Sequence, residues 1–134
     1  MKKFFLLSLF VSMAITAMNA QEATQKQAPK NGPKIEFNEM EHDYGTIQKG
    51  GNGECEFTFT NNGTEPLILT NVRASCGCTT PTWTKEPVMP GKTGTIKVKY
   101  NTNNVGSFTK TITVNSNAVN SPRLVLKIKG KVEQ

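Results

Sequence analysis

The sequence predicts an all-β fold, a sandwich or small barrel of about seven short antiparallel strands, and three observations predict it. Apolar residues alternate with polar ones in several windows, as where Cys55, Phe57 and Phe59 interleave with Glu54, Glu56, Thr58 and Thr60. A period of two marks a strand with one buried and one wet face. Turn-forming clusters of glycine, asparagine and proline recur at spacings of about ten residues, as in sandwiches and small barrels. Beyond the first twenty residues no window sustains a helical period.

That opening stretch is not part of the pattern. Lys2 and Lys3 make a positive start, Phe4 to Ile15 form an apolar run, and Thr16-Ala17-Met18-Asn19-Ala20 is small or polar. This is the order of a secretory signal peptide, residues 1–20, cleaved after Ala20. The apolar run falls short of the roughly 20 residues a spanning helix needs. No cysteine lies at the boundary to carry a lipid, so no membrane insertion is expected once the signal is removed. Residues 21–33 contain nothing large and apolar. Such a segment buries too little surface to offset its ordering entropy and is expected to be a disordered linker. The folded domain is expected to occupy residues 34–134.

Ile35 and Phe37 open the domain, and His42 to Ile47 follow. Lys49-Gly50-Gly51-Asn52-Gly53 is a turn, because glycine and asparagine tolerate positive φ. The Cys55–Phe59 strand comes next, then the turn Asn61-Asn62-Gly63-Thr64-Glu65-Pro66, then Leu67 to Val72. An irregular middle leads to three further alternations, carried by Ile96, Val98 and Tyr100, by Phe108, Ile112 and Val114, and by Leu124, Leu126 and Ile128. Threonines on the outward positions suit a pleated surface. The expected core is Phe37, Phe57, Phe59, Leu67, Leu69, Ile96, Val98, Phe108, Ile112, Val114, Leu126 and Ile128. At roughly 1.5–3 kcal/mol per buried large apolar side chain, such a set sustains one small domain.

The charge balance excludes one class of partner. Without Lys2 and Lys3, 14 basic residues face 10 acidic ones, a net charge near +4. The lysines are spread over several segments and seldom sit beside aromatics, so nucleic acid is not expected as a partner. A catalytic apparatus is also not visible. His42 is the sole histidine, and its neighbour Asp43 points to the opposite face of a strand, so the two do not form a base and its orienting group. Glu36, Glu39, Glu41 and Asp43 form an outward face, with no paired general acid and base. No phosphate-binding glycine loop occurs.

The three cysteines are the residues most open to chemistry. Cys76 and Cys78 stand one residue apart in Ala74-Ser75-Cys76-Gly77-Cys78-Thr79-Thr80-Pro81. They can close on each other, with Gly77 relaxing the backbone. They can chelate a soft cation, copper or zinc. Or one of them can pair with Cys55 as a staple around a loop of about 20 residues, worth roughly 3 kcal/mol. Cys55, Cys76 and Cys78 are therefore disulfide or redox candidates, and Cys76 and Cys78 are candidate metal ligands. The spacing is neither a thioredoxin-like Cys-x-x-Cys nor the two-pair pattern of zinc ribbons. Trp83 can plug one end of the fold or offer an aromatic contact. Pro87-Val88-Met89-Pro90-Gly91 reads as a turn, and Met89 and Trp83 are candidate partner anchors.

The stretch from Asn61 to Asn117 resembles a bacterial family of unknown function, DUF1573. The elements that carry the likeness are Asn61 to Leu69, Ser75-Cys76-Gly77-Cys78-Thr79, Pro90-Gly91 with the strand at Ile96, Gly106 to Asn117, and the closing Leu124 to Val132. The resemblance implies a single immunoglobulin-like antiparallel β-sandwich, related to ASH/HYDIN and major-sperm-protein-like domains, and an exported setting. Cys55 is not part of the family pattern. The expected function is a non-catalytic interaction module of the bacterial envelope, monomeric, periplasmic or secreted, without cofactor. Its partner is expected to be an envelope protein or cell-surface component. The alternative is a thiol-based redox or copper- or zinc-binding protein that uses Cys76 and Cys78.

Overall fold

The computed structural model describes residues 31–134. The expected signal peptide and the linker up to residue 30 lie outside these described residues. Eight strands follow in order: β1 (Ile35–Phe37), β2 (Glu41–Gln48), β3 (Glu54–Asn61), β4 (Leu69–Ala74), β5 (Thr79–Trp83), β6 (Thr93–Tyr100), β7 (Gly106–Ser116) and β8 (Arg123–Glu133). They form two four-stranded sheets, ordered β1-β3-β6-β5 and β2-β8-β7-β4. The all-β immunoglobulin-like sandwich is the fold, and no helix is present among the described residues.

Three features depart from the sequence reading. Eight strands replace seven, because β5 lies in the stretch read as irregular. Its Thr-Thr-Pro-Thr-Trp carries no apolar alternation, and its proline argues against a strand. Yet β5 is the edge of its sheet, and Pro81 faces Val98 on β6. The flanking bonds, Asn101 N–H to the Cys78 carbonyl and Thr84 N–H to the Thr95 carbonyl, make Pro81 and Val98 a non-hydrogen-bonded pair. The missing N–H of Pro81 thus falls on the open edge, where it blunts pairing with another chain. Second, the sandwich is mixed rather than wholly antiparallel, since β2 runs parallel to β8 from Glu41 opposite Lys127 to Gln48 opposite Glu133. Third, Gly32 and Pro33, assigned to the linker, are buried. Gly32 N–H donates to Thr64 Oγ1 at 3.0 Å, Thr64 N–H to the Gly32 carbonyl at 2.9 Å and Val119 N–H to the Pro33 carbonyl at 2.8 Å.

The core follows the period of two. Phe57 and Phe59 of β3, Ile96 and Val98 of β6, Ile112 and Val114 of β7, and Leu126 and Ile128 of β8 are all buried between the sheets. Of the expected core only Phe37 is half-buried, with its ring 5.6 Å from that of Phe59. Ile35, Val72, Val88, Tyr100, Ala118 and Val132 join the core as well. Gly94 is required by close packing, since a Cβ there would run into the Phe59 ring. Gly91 completes the turn after Pro90 at φ 78°, a left-handed value that a bulkier residue resists.

The polar exception is Asn61, whose side chain is fully buried. Its Nδ2 donates to the carbonyls of Glu65 at 2.7 Å and Val88 at 2.8 Å. Its Oδ1 accepts from Gly63 N–H at 2.9 Å and Lys34 N–H at 3.3 Å. Removing the amide leaves these groups unpaired, at about 1–3 kcal/mol for each one kept from water. Asn61→Ala is therefore expected to cost about 3 kcal/mol and to lower Tm by roughly 10–20 °C. Asn62→Ala, next to it but exposed, is expected to change Tm by less than about 3 °C. Thermal unfolding followed by circular dichroism checks both.

Candidate functional site

The sandwich has two ends with different chemistry. At one, the β2–β3 turn, the turn between β4 and β5, and the β6–β7 turn come together. At the other lie Gly32 to Lys34 and the β3–β4, β5–β6 and β7–β8 connections, tied by bonds such as Asn117 N–H to the Ile68 carbonyl at 3.1 Å and Asn62 N–H to the Lys34 carbonyl at 3.1 Å.

Cys76 and Cys78 occupy the first end. The chain leaves one sheet at Ala74 and enters the other at Thr79, and the cysteines sit in the turn between. They are bonded to each other, with Cα atoms 5.4 Å apart. Both are half-buried, whereas Gly77 is exposed, and a Cβ there would meet no atom within 4 Å. Cys78 N–H donates to Cys76 Sγ at 3.3 Å, and Thr79 Oγ1 lies 3.9 Å from Cys76 Sγ and 3.8 Å from Cys78 Sγ. A shallow depression of about 600 Å³ flanks the turn; Gly77, Cys78, Gly53, Lys99 and Asn101 are among its lining residues.

Cys55 is a free thiol and does not join this pair. It stands opposite Val98 on one side of β6, while Cys78 lies beside Asn101 on the other. Two strand spacings and three residues of rise put their Cα atoms about 14 Å apart, well beyond the roughly 7 Å that a disulfide bridges. The staple to Cys55 is thus ruled out by β6 lying between. The pair instead closes a ring of three residues, which constrains the unfolded chain by only about 1.6 kcal/mol in the loop-entropy model. This disulfide does little for the fold. While it is closed, neither sulfur is a thiolate ligand, and no cluster of three metal-ligating side chains occurs among the described residues.

Cys55 points inward beside Tyr44. Burial pushes the Cys55 thiol up from its ordinary value, partly offset by its polar contact with the Tyr44 hydroxyl. Burial, with that same contact second, raises the Tyr44 phenol. Tyr44 also donates to the Gly53 carbonyl at 2.7 Å, and the His42 ring meets it edge-on at 4.6 Å. His42 is therefore held in an aromatic contact on β2, away from the disulfide turn.

Trp83 and Met89 are separated by the structure. Trp83 lies on β5 opposite Ile96, half-buried against the core, with its indole Nε1 buried and unpaired. Lys85 Nζ sits 3.4 Å from the ring centroid. Cation and core together cover the ring, so Trp83 closes the sandwich edge. Met89 is 53% exposed, at the end opposite the cysteines. Sequence reading missed its neighbour Ile68, which is 39% exposed. Leu67 and Val88 exchange backbone hydrogen bonds at 2.8 and 2.9 Å, which turns Ile68 and Met89 outward on the same face. They stand on a diagonal across this bridge, at a separation of about 7–8 Å or a little less between Cβ atoms. The signal was present, since Ile68 breaks the alternation of Leu67 and Leu69, but its proximity to Met89 depends on a bridge between residues 67 and 88.

The pKa directions set a pH dependence. Both raised groups favour their neutral forms in the folded state, so their contribution is complete below the ordinary thiol value of about 8.5 and is lost as pH rises past it. Stability to urea is expected to fall as pH rises past about 8.5, with the Cys55 contribution lost first and the Tyr44 contribution only above about 10. In Cys55→Ala that decline is expected to begin higher, near the phenol range. A Cys55→Ala curve superimposable on wild type would contradict this.

Solved structures share the fold. A protein of unknown function from Porphyromonas gingivalis W83 aligns at 18% identity and a TM-score of 0.67, over 76% of this chain and 48% of that one. The ASH/PapD-like domain 7 of human CEP192 aligns at 11% identity and 0.65, over 79% and 89%. The YadV chaperone aligns at 14% identity and 0.57, over 75% and 53%. The chain thus spans about half the length of the first and third of these. Among curated proteins none matches. The model of the family described as protein of unknown function (DUF1573) matches residues 35–132, from the start of β1 to the penultimate residue of β8, and the chain belongs to that family.

Proposed function

We propose that the protein is an exported, non-catalytic interaction module of the bacterial envelope that holds an envelope protein or cell-surface component through the Ile68–Met89 end. The observation that carries this reading is the outward pair Ile68 and Met89, flanked by Pro66, Pro87 and Pro90, all exposed. Large apolar side chains held side by side in rigid, proline-rich loops lose little entropy when a partner covers them. The sandwich lends such loops a stiff frame. The shared fold of the YadV chaperone supports an interaction role. The order of residues 1–20 supports export. The protein acts as a monomer without bound cofactor, and its scattered His42, Asp43 and glutamates form no catalytic set.

Two measurements test this reading. Intact mass of protein purified from the envelope is expected to lack residues 1–20; a mass that retains them overturns export. A photo-crosslinking amino acid at position 89 in living cells is expected to give one dominant adduct, lost in Ile68→Glu. The same probe at Thr109, on the outer face of β7, serves as the control. Equal adduct patterns from both positions would overturn the assigned surface.

A further inference from the structure

We propose that Cys76–Cys78 is a thiol–disulfide exchange site that oxidises cysteine pairs in extended segments of other exported polypeptides, with Cys78 as the sulfur attacked and Cys76 as the sulfur that leaves. This goes beyond the interaction reading and involves the opposite end of the sandwich.

Three observations carry it. The bond spans residues two apart and contributes little to holding the fold, yet it sits in a turn whose tip, Gly77, is exposed and open, with both cysteines only half-buried beside it. Its two sulfurs are not equivalent. Cys76 Sγ accepts the Cys78 N–H at 3.3 Å, and a hydrogen-bond donor stabilises the thiolate that forms when this sulfur leaves. Cys78, not Cys76, lines the adjoining depression, together with the turn from Gly50 to Gly53 and with Lys99. That cleft gives an incoming chain a polar surface to lie on and a cation near an approaching thiolate. In addition, no third cysteine can intercept the exchange, because β6 separates Cys55 from the pair.

The chemistry balances without a further reagent. A substrate thiolate attacks Cys78 Sγ; the S–S bond breaks and its electron pair stays on Cys76, which then takes up a proton. A mixed disulfide now joins the substrate to Cys78. The second substrate thiolate attacks the substrate sulfur of that bond, forming the substrate disulfide and releasing Cys78 as a thiolate that is protonated in turn. The substrate pair has lost two electrons and two protons, and Cys76 and Cys78 have gained them.

The test uses the full oxidised protein and a reduced synthetic peptide with two cysteines, quenched in acid over time and mapped by mass spectrometry. The reference is a linear pentapeptide of residues 75–79 closed by the same disulfide. Expected are peptide oxidation at least tenfold faster than by the reference, and mixed-disulfide adducts on Cys78 at least tenfold over those on Cys76. A rate within tenfold of the reference overturns the proposal, because the fold would then add nothing. Adducts chiefly on Cys76 or Cys55 overturn it as well.

Discussion

The hydrogen bonds of the Asn61 side chain are the constraint on which the rest of the structure depends. One buried amide binds the entry of the chain at Lys34, the turn at Gly63 and Glu65, and the β5–β6 loop at Val88. Its own backbone continues the ladder, with Asn61 N–H bonded to the Lys92 carbonyl at 2.9 Å and Gly91 N–H to the Asn61 carbonyl at 2.8 Å. In a low-dielectric interior such a fully satisfied polar centre has one arrangement and tolerates no near alternative. A slip of β3 by one residue would turn Phe57 and Phe59 to water and break all four side-chain bonds together.

Much of the fold was legible because most strands announce their faces locally. Phe57 and Phe59, Ile96 and Val98, or Ile112 and Val114 each need only the pleat to face inward. What the sequence concealed was non-local. Whether β2 pairs parallel with β8 depends on residues some 86 positions apart, such as Glu41 and Lys127, and nothing in either segment states the direction. β5 was hidden because an edge strand is defined by what it lacks, and Pro81 reads locally as a break. Asn61 carried the opposite ambiguity: an asparagine ahead of Asn-Gly looks like turn chemistry, while its partner carbonyl at Val88 is 27 residues away.

The candidate sites show the same division. The oddity of Cys76-Gly77-Cys78 is visible in the sequence, and three bonding states were open to it. The placement of β6 between Cys55 and the pair removes the staple, and the turn joins Cys76 to Cys78. The turn also explains why a disulfide so small persists. A corner where the chain changes sheets already brings the two Cα atoms near each other, so the bond adds to an existing bend rather than creating it. Trp83 and Met89 stand six residues apart in sequence, yet the hairpin puts one against the core beneath Lys85 and the other out beside Ile68. The two ends of the sandwich are separated by the length of β6, or about 25 Å, and carry different chemistry.

The parallel pairing of β2 with β8 has a mechanical meaning. β8 closes the described fold and β2 follows only the short β1, and force applied along the chain draws β2 backward and β8 forward along the same line. Every hydrogen bond from Glu41–Lys127 to Gln48–Glu133 is then strained sideways together, rather than opened one at a time from a free tip. The three-residue β1 peels first, and the load passes to that shared seam. A domain wired in this way meets a pull along the chain with a whole ladder of bonds at once.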